Sequence, residues 1–292
     1  MDDLKNIVLL LSWVDYLGIA LFFSCWMGYR FVLERGEIGR KGLIGITHEY
    51  RLQWAMESAA REIPVACAGL TSNLMASVSF YASTTIYIIA GLFALVGSVE
   101  RLLSFSEDMP FAQAVSSGLI ELKLILLIFI FVNAYFKFTW SLRQFNFLCI
   151  LIGGSPYHGN MPSEEYRVKT AKRMARVNSC AGNEFNRGIR SYYYGIAAST
   201  WFLHPVAFIV ATIWVTYILY VRDFHSPVLE ILRDTYPPEL RNYTQGSDEK
   251  GVNNQEGACS NLRVSGIGGV SGVSGTKVKA KVSLLCGSLL LT

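Results

Sequence analysis

The chain has 292 residues, 52% of them hydrophobic and 16% charged, with a formal net charge of +4. Its mean hydropathy is +0.34. Soluble domains carry about a quarter charged residues, so this composition excludes an ordinary soluble domain and indicates a membrane protein. The positive charge collects in two loops between apolar runs, which excludes the broad basic face of a nucleic-acid binder and makes membrane lipids the expected partner.

The first apolar run, about 7–29, is too long for a cleaved leader and lacks a small-residue cleavage site, so it reads as a span. Further spans follow at about 65–97, 115–137 and 194–221. Each offers the ~20 mostly apolar residues that crossing ~30 Å of hydrocarbon requires. The second is longer than one crossing needs and is expected to tilt or to continue into the cytoplasm. None alternates as a barrel strand would. The expected fold is an all-α integral membrane protein with four transmembrane helices.

Lys and Arg gather in the first loop (Arg30, Arg35, Arg40, Lys41, Arg51, Arg61) and the third (Arg143, Arg167, Lys169, Lys172, Arg173, Arg176, Arg187, Arg190). That bias puts both loops in the cytoplasm of a cell-membrane protein, with both termini on the non-cytoplasmic side. Two cytoplasmic amphipathic helices are expected. In the first loop Leu52, Met56, Ala59 and Ile63 recur at helical spacing. In the third, Pro162-Ser163 marks a helix start, and Ala171, Met174, Ala175, Asn178, Ala181 and Phe185 share one face. Lys169, Lys172, Arg173 and Arg176 lie roughly 200° around that helix. Such a helix suits an anionic membrane surface, or it packs on the other loop with its charges in water.

Beyond Leu232 come Pro237-Pro238 and a Gly/Ser-rich stretch, so residues 236–292 read as a disordered or non-native tail outside a 1–235 membrane domain. The run Val282–Leu291 is too short to span, and the Asn242-Tyr243-Thr244 sequon matters only in a secretory context. Cys25, Cys67, Cys149, Cys180, Cys259 and Cys286 show no CxxC or Cys/His spacing, so no metal and no cofactor is expected.

Three constellations stand out. Asp15, Lys123, Thr84 and His204 fall within spans, where charges are costly and normally paired; they serve as a proton or ion relay or as polar glue between helices. On span two, Ser72, Ala76, Ser79, Ser83, Ala90, Ala94 and Gly97 form a small-residue stripe fitted to close packing, with another span or in a homo-oligomer. At the inner collar, Lys137, Trp140, Arg143 and Asn146 end span three, while Asn186, Arg187 and Arg190 lead into span four. Guanidinium forks bind phosphate bidentately, so this collar is either a lipid or anion pocket or an interfacial anchor.

Several strings resemble the uncharacterised membrane-protein family catalogued as domain of unknown function 599. They are Phe80-Tyr-Ala-Ser-Thr84, Phe136-Lys-Phe-Thr-Trp-Ser-Leu-Arg-Gln-Phe-Asn146, Phe185-Asn-Arg-Gly-Ile-Arg-Ser-Tyr-Tyr193, Trp201-Phe-Leu-His-Pro205 and Leu219-Tyr-Val-Arg-Asp-Phe-His-Ser226. The resemblance covers about residues 7–232 and implies a multi-span membrane protein with no assigned activity. No GxSxG, HExxH or Walker-type loop occurs. The expected role is therefore a non-enzymatic, oligomeric membrane component that binds anionic lipid or a small anion at its collar. The rivals are a small channel or ion-coupled transporter and, behind it, a lipid-headgroup enzyme.

Overall fold

The computed structural model describes residues 11–34, 39, 41–60, 65–100, 117–156 and 163–234. These form α1 (Trp13–Glu34), α2 (Leu43–Ala60), α3 (Val65–Val96), α4 (Ser117–Gly153), α5 (Glu164–Ser199), α6 (Pro205–Phe224) and α7 (Pro227–Asp234), with a 3-10 turn at Thr200–Phe202. No strand occurs among the described residues. Three helical stretches, Gly69–Val96, Ser117–Gly153 and Pro205–Asp234, are long and apolar enough to cross a membrane. Their outer faces carry large apolar side chains such as Phe80, Tyr87, Phe129, Phe136, Val210 and Trp214. In water such patches would be costly, whereas lipid covers them without penalty.

α4 and α5 form the axis as an antiparallel pair. Lys123 lies beside Trp201, Phe131 beside Gly195, Phe138 beside Gly188 and Ser141 beside Ala181. Gly188 is required there, because a Cβ would run into the fully buried Phe138 ring. α6 returns antiparallel to α5, pairing Thr216 with Tyr194 and Asp223 with Arg190. α1 runs parallel to α6, from Asp15 at the Trp201 level to Tyr29 at Asp223.

Two apolar cores result. One joins α1, α4, α5 and α6 around Phe22, Leu124, Tyr194, Trp201 and Phe208. The other joins α2, α3, α4 and α5 around Ala55, Val78, Phe138, Phe145 and Met174. In that second region Ser163 caps α5 by accepting from the Tyr166 N–H at 3.1 Å, as Pro162-Ser163 predicts. Ala171, Met174, Ala175, Asn178 and Ala181 are buried, while Lys169, Arg173 and Arg176 are exposed. The apolar face of α5 thus packs on protein rather than on a membrane surface. His48 Nδ1 lies 2.7 Å from Ser179 Oγ, and Arg51 sits against Gly182.

Two expectations need correction. Residues 194–221 are not one helix: α5 ends at Ser199, a 3-10 turn follows, and α6 restarts at Pro205 with His204 as its cap. A hydropathy window is blind to a tight apolar turn, although proline at the first helical position is a restart signal. Second, the ends of the described chain lie at opposite ends of the bundle. Trp13 begins beside Trp201, while α7 rests on α2, where the Tyr50 hydroxyl donates to the Leu232 carbonyl at 2.9 Å. Of the two partners expected for the stripe of Ser72, Ala76, Ser79, Ser83, Ala90, Ala94 and Gly97, the structure does not bear out another span: the stripe is exposed, and α3 packs on α4 through Thr71, Val78, Ala82, Thr85 and Leu92. Residues 7–10 of the first span and the 236–292 tail lie outside the described residues.

Candidate functional site

One cleft of about 200 Å³ is built by single faces of α1, α4 and α5. α1 presents Phe23, Trp26, Met27, Tyr29 and Arg30; α4 presents Phe129, Asn133 and Lys137; α5 presents Arg187, Arg190, Ser191 and Tyr194. Spacings of three and four residues recur along each contributing face, as on α4 from Phe129 to Asn133 to Lys137 and on α5 from Arg187 to Arg190 to Tyr194. The polar groups gather at the end nearer α2, and the apolar wall includes the exposed Met27 and Phe129.

The basic side chains are held by two buried carboxylates. Glu184, 3% exposed, lies 3.0 Å from Lys137 Nζ and also pairs with Arg187. Asp223 accepts from the Tyr29 hydroxyl at 2.7 Å, with Arg190 at 3.6 Å and Arg222 at 3.8 Å. Asn133 Nδ2 donates weakly to Ser191 Oγ at 3.4 Å. Arg190 is only 7% exposed, yet its Nε has no hydrogen-bond partner. A buried guanidinium donor with no acceptor is a costly arrangement.

Of the collar residues expected from sequence, Lys137, Arg187 and Arg190 line this cleft. Trp140, Arg143 and Asn146 are exposed on other faces of α4, and Arg143 stacks over Phe147 at 5.9 Å. Arg143 is roughly 120° around the helix from Lys137, and Asn146 roughly 180°. Asn186 is half-buried, about 100° from Arg187, and does not line the cleft. Tyr29, Arg30, Trp26, Asn133 and Ser191 went unrecognised in the sequence. Asn133, one helical turn before Lys137 in an otherwise apolar run, was the available signal.

The second polar cluster lies at the other end of the bundle. Trp201 Nε1 donates to Asp15 Oδ1 at 2.8 Å, and Lys123 Nζ donates to the Trp201 carbonyl at 2.8 Å. The ammonium also sits over the Trp201 ring, 5.3 Å from its centre. Asp15 Oδ2 accepts from the Ser12 N–H at 3.0 Å. Thr84 and His204 do not join them. Thr84 bonds back to the Phe80 carbonyl at 2.8 Å, while the neighbouring Thr85 is the buried one, 2.7 Å from the Tyr192 hydroxyl. His204 caps α6 through the Val206 N–H.

Elsewhere Arg51 is mostly enclosed between α2 and α5, and burial lowers its pKa. No group of three or more His, Cys, Asp or Glu able to hold a metal occurs among the described residues.

No curated protein and no solved structure matches the chain. A family model described as "Protein of unknown function, DUF599" matches residues 17–228, which include every lining residue of the cleft and all of the second cluster except Ser12 and Asp15. On that match the chain belongs to this family of uncharacterised proteins.

Proposed function

We propose that the protein is a non-enzymatic component of the cell membrane whose cleft between α1, α4 and α5 binds an anionic lipid or small anion at the cytoplasmic face. The observation that carries this reading is the convergence of Arg30, Lys137, Arg187 and Arg190 on one cleft that is polar at one end and apolar at the other. Charged donors bind anionic oxygens with strong, directional hydrogen bonds, and an apolar wall accepts an acyl chain. The test compares phosphatidylglycerol retained in native mass spectrometry by three proteins. Arg187→Lys/Arg190→Lys should lose bound lipid relative to wild type, because the forks are gone; Arg143→Lys should not. Equal retention by all three would favour simple interfacial anchoring.

The packing supports a topology of five crossings rather than four: α1, α3, α4, the Glu184–Ser199 part of α5, and α6. Basic residues crowd the end that holds α2, so that end is cytoplasmic, the Trp13 end is external and α7 is internal. Cysteines placed at positions 16 and 231 should therefore react with an impermeant reagent from opposite sides. Labelling of both from one side would restore an even number of crossings. The rival channel or transporter reading needs Asp15, Lys123, Thr84 and His204 on one path, and Thr84 and His204 stand apart from the other two. Assembly into a homo-oligomer remains an expectation that the exposed stripe on α3 allows.

A further inference from the structure

We infer that the cleft takes a dianionic phosphomonoester, the terminal phosphate of a lipid such as phosphatidate, in preference to a phosphodiester headgroup. This rests on the anion-cleft reading above and adds the ligand's chemical class. Donors approach from three sides: Arg30 from α1, Asn133 and Lys137 from α4, and Arg187 and Arg190 from α5. A phosphomonoester offers three strong terminal acceptor oxygens, one for each side, and carries a second charge with a pKa near 6. A phosphodiester offers two such oxygens and one charge.

Local charge points the same way. Among the described residues, Lys137, Arg190 and Arg222 face two carboxylates, Glu184 and Asp223. A site enclosed at this level favours a ligand that completes the compensation, because uncompensated charge away from water is costly. The Nε of the 7%-exposed Arg190 is a desolvated donor with no hydrogen-bond partner in the structure, in a side chain that lines the cleft. At about 200 Å³ the cleft admits a phosphate and its ester link. Chains would leave over Met27 and Phe129, the exposed apolar lip.

The experiment measures binding of the full chain, in detergent micelles, to phosphatidylcholine vesicles doped with either phosphatidate or phosphatidylglycerol. Each is run at about pH 7.5 and about pH 5, on either side of the second phosphate ionisation. Phosphatidate should be preferred at least about tenfold at the higher pH, with most of that preference lost at the lower one. Phosphatidylglycerol keeps one charge throughout, so it controls for titration of the groups facing the ligand: Tyr29 and Arg30 on α1, Lys137 on α4, Glu184, Arg187 and Arg190 on α5, Arg222 and Asp223 on α6. Asn133→Leu, which removes one of the two α4 donors without touching a charge, should reduce the preference. Equal binding of the two lipids, both above phosphatidylcholine, would overturn the monoester inference and leave the anion cleft standing. Binding of neither would overturn both. A third arm adds inorganic phosphate: displacement of phosphatidate at equal concentration would assign the site to a soluble phosphate, and no displacement supports the lipid.

Discussion

The two polar regions of this bundle use similar residue types and reach opposite outcomes. Along α4 they are separated by the rise from Lys123 to Lys137, about 21 Å, so both sit near the edges of a hydrocarbon layer ~30 Å thick. At the Lys123 end every partner is internal. The indole of Trp201 satisfies Asp15, its carbonyl receives the ammonium, and its ring lies beneath the charge. At the Lys137 end a cleft opens between three helices, and among the described residues the Arg190 Nε is buried with no hydrogen-bond partner. A closed cluster serves as a helix fastener. The open one is where the proposed ligand would complete the hydrogen bonding.

The largest expected effect comes from opening the closed cluster. Lys123→Met leaves the Asp15 carboxylate, which is only 4% exposed, with the Trp201 and Ser12 N–H groups but without the ammonium that balances its charge across Trp201. Breaking one side of such a pair costs about 3–5 kcal/mol, while removing both charges is often nearly neutral. Thermal unfolding in detergent should show a large drop in Tm for Lys123→Met and substantial recovery in the Asp15→Asn/Lys123→Met double variant. Additive loss in the double variant would mean that the two charges do not work through Trp201.

A smaller effect is expected at the cleft's own fastening. Tyr29→Phe removes the 2.7 Å hydrogen bond to Asp223 and leaves Arg190 as that carboxylate's buried partner. A hydrogen bond to a charged group contributes about 1.5–3 kcal/mol. Added anionic lipid should restore part of the lost stability, since a ligand that binds only the folded state raises the unfolding free energy. The Lys123→Met variant should show no comparable excess over wild type. Equal lipid rescue of both variants would erase the distinction between closed and open clusters.

Much of the architecture could be read from the sequence because lipid imposes long apolar helices and hydropathy reports them. The helix starting at Ser163, the length of α3 and the pairing level of Asp15 and Lys123 all followed from periodicity and depth. The turn between Ser199 and Pro205 did not, because Trp201, Phe202 and Leu203 are as apolar as the helices around them. That one turn reverses the chain, and it moves α7 to the opposite end from Trp13. Trp201 itself was missed as a polar partner because an indole inside an apolar run looks like filler, although its N–H needs an acceptor when buried. The collar was found as a level but not as a face. Sequence proximity grouped Arg143 and Asn146 with Lys137, whereas the 100° turn per residue points them elsewhere and brings in Arg30 and Asn133 from sites that looked unremarkable.

The most direct measurement counts anionic lipid bound to two variants by native mass spectrometry. Asn133→Leu/Lys137→Gln alters the open cleft, and Asp15→Asn/Lys123→Met removes both charges of the closed cluster. Comparable folding of the two is checked first by thermal unfolding. The cleft variant should lose its retained anionic lipid while the closed-cluster variant keeps the wild-type amount. Loss from the closed-cluster variant with full retention by the cleft variant would place the ligand at the other end of the bundle and contradict the assignment.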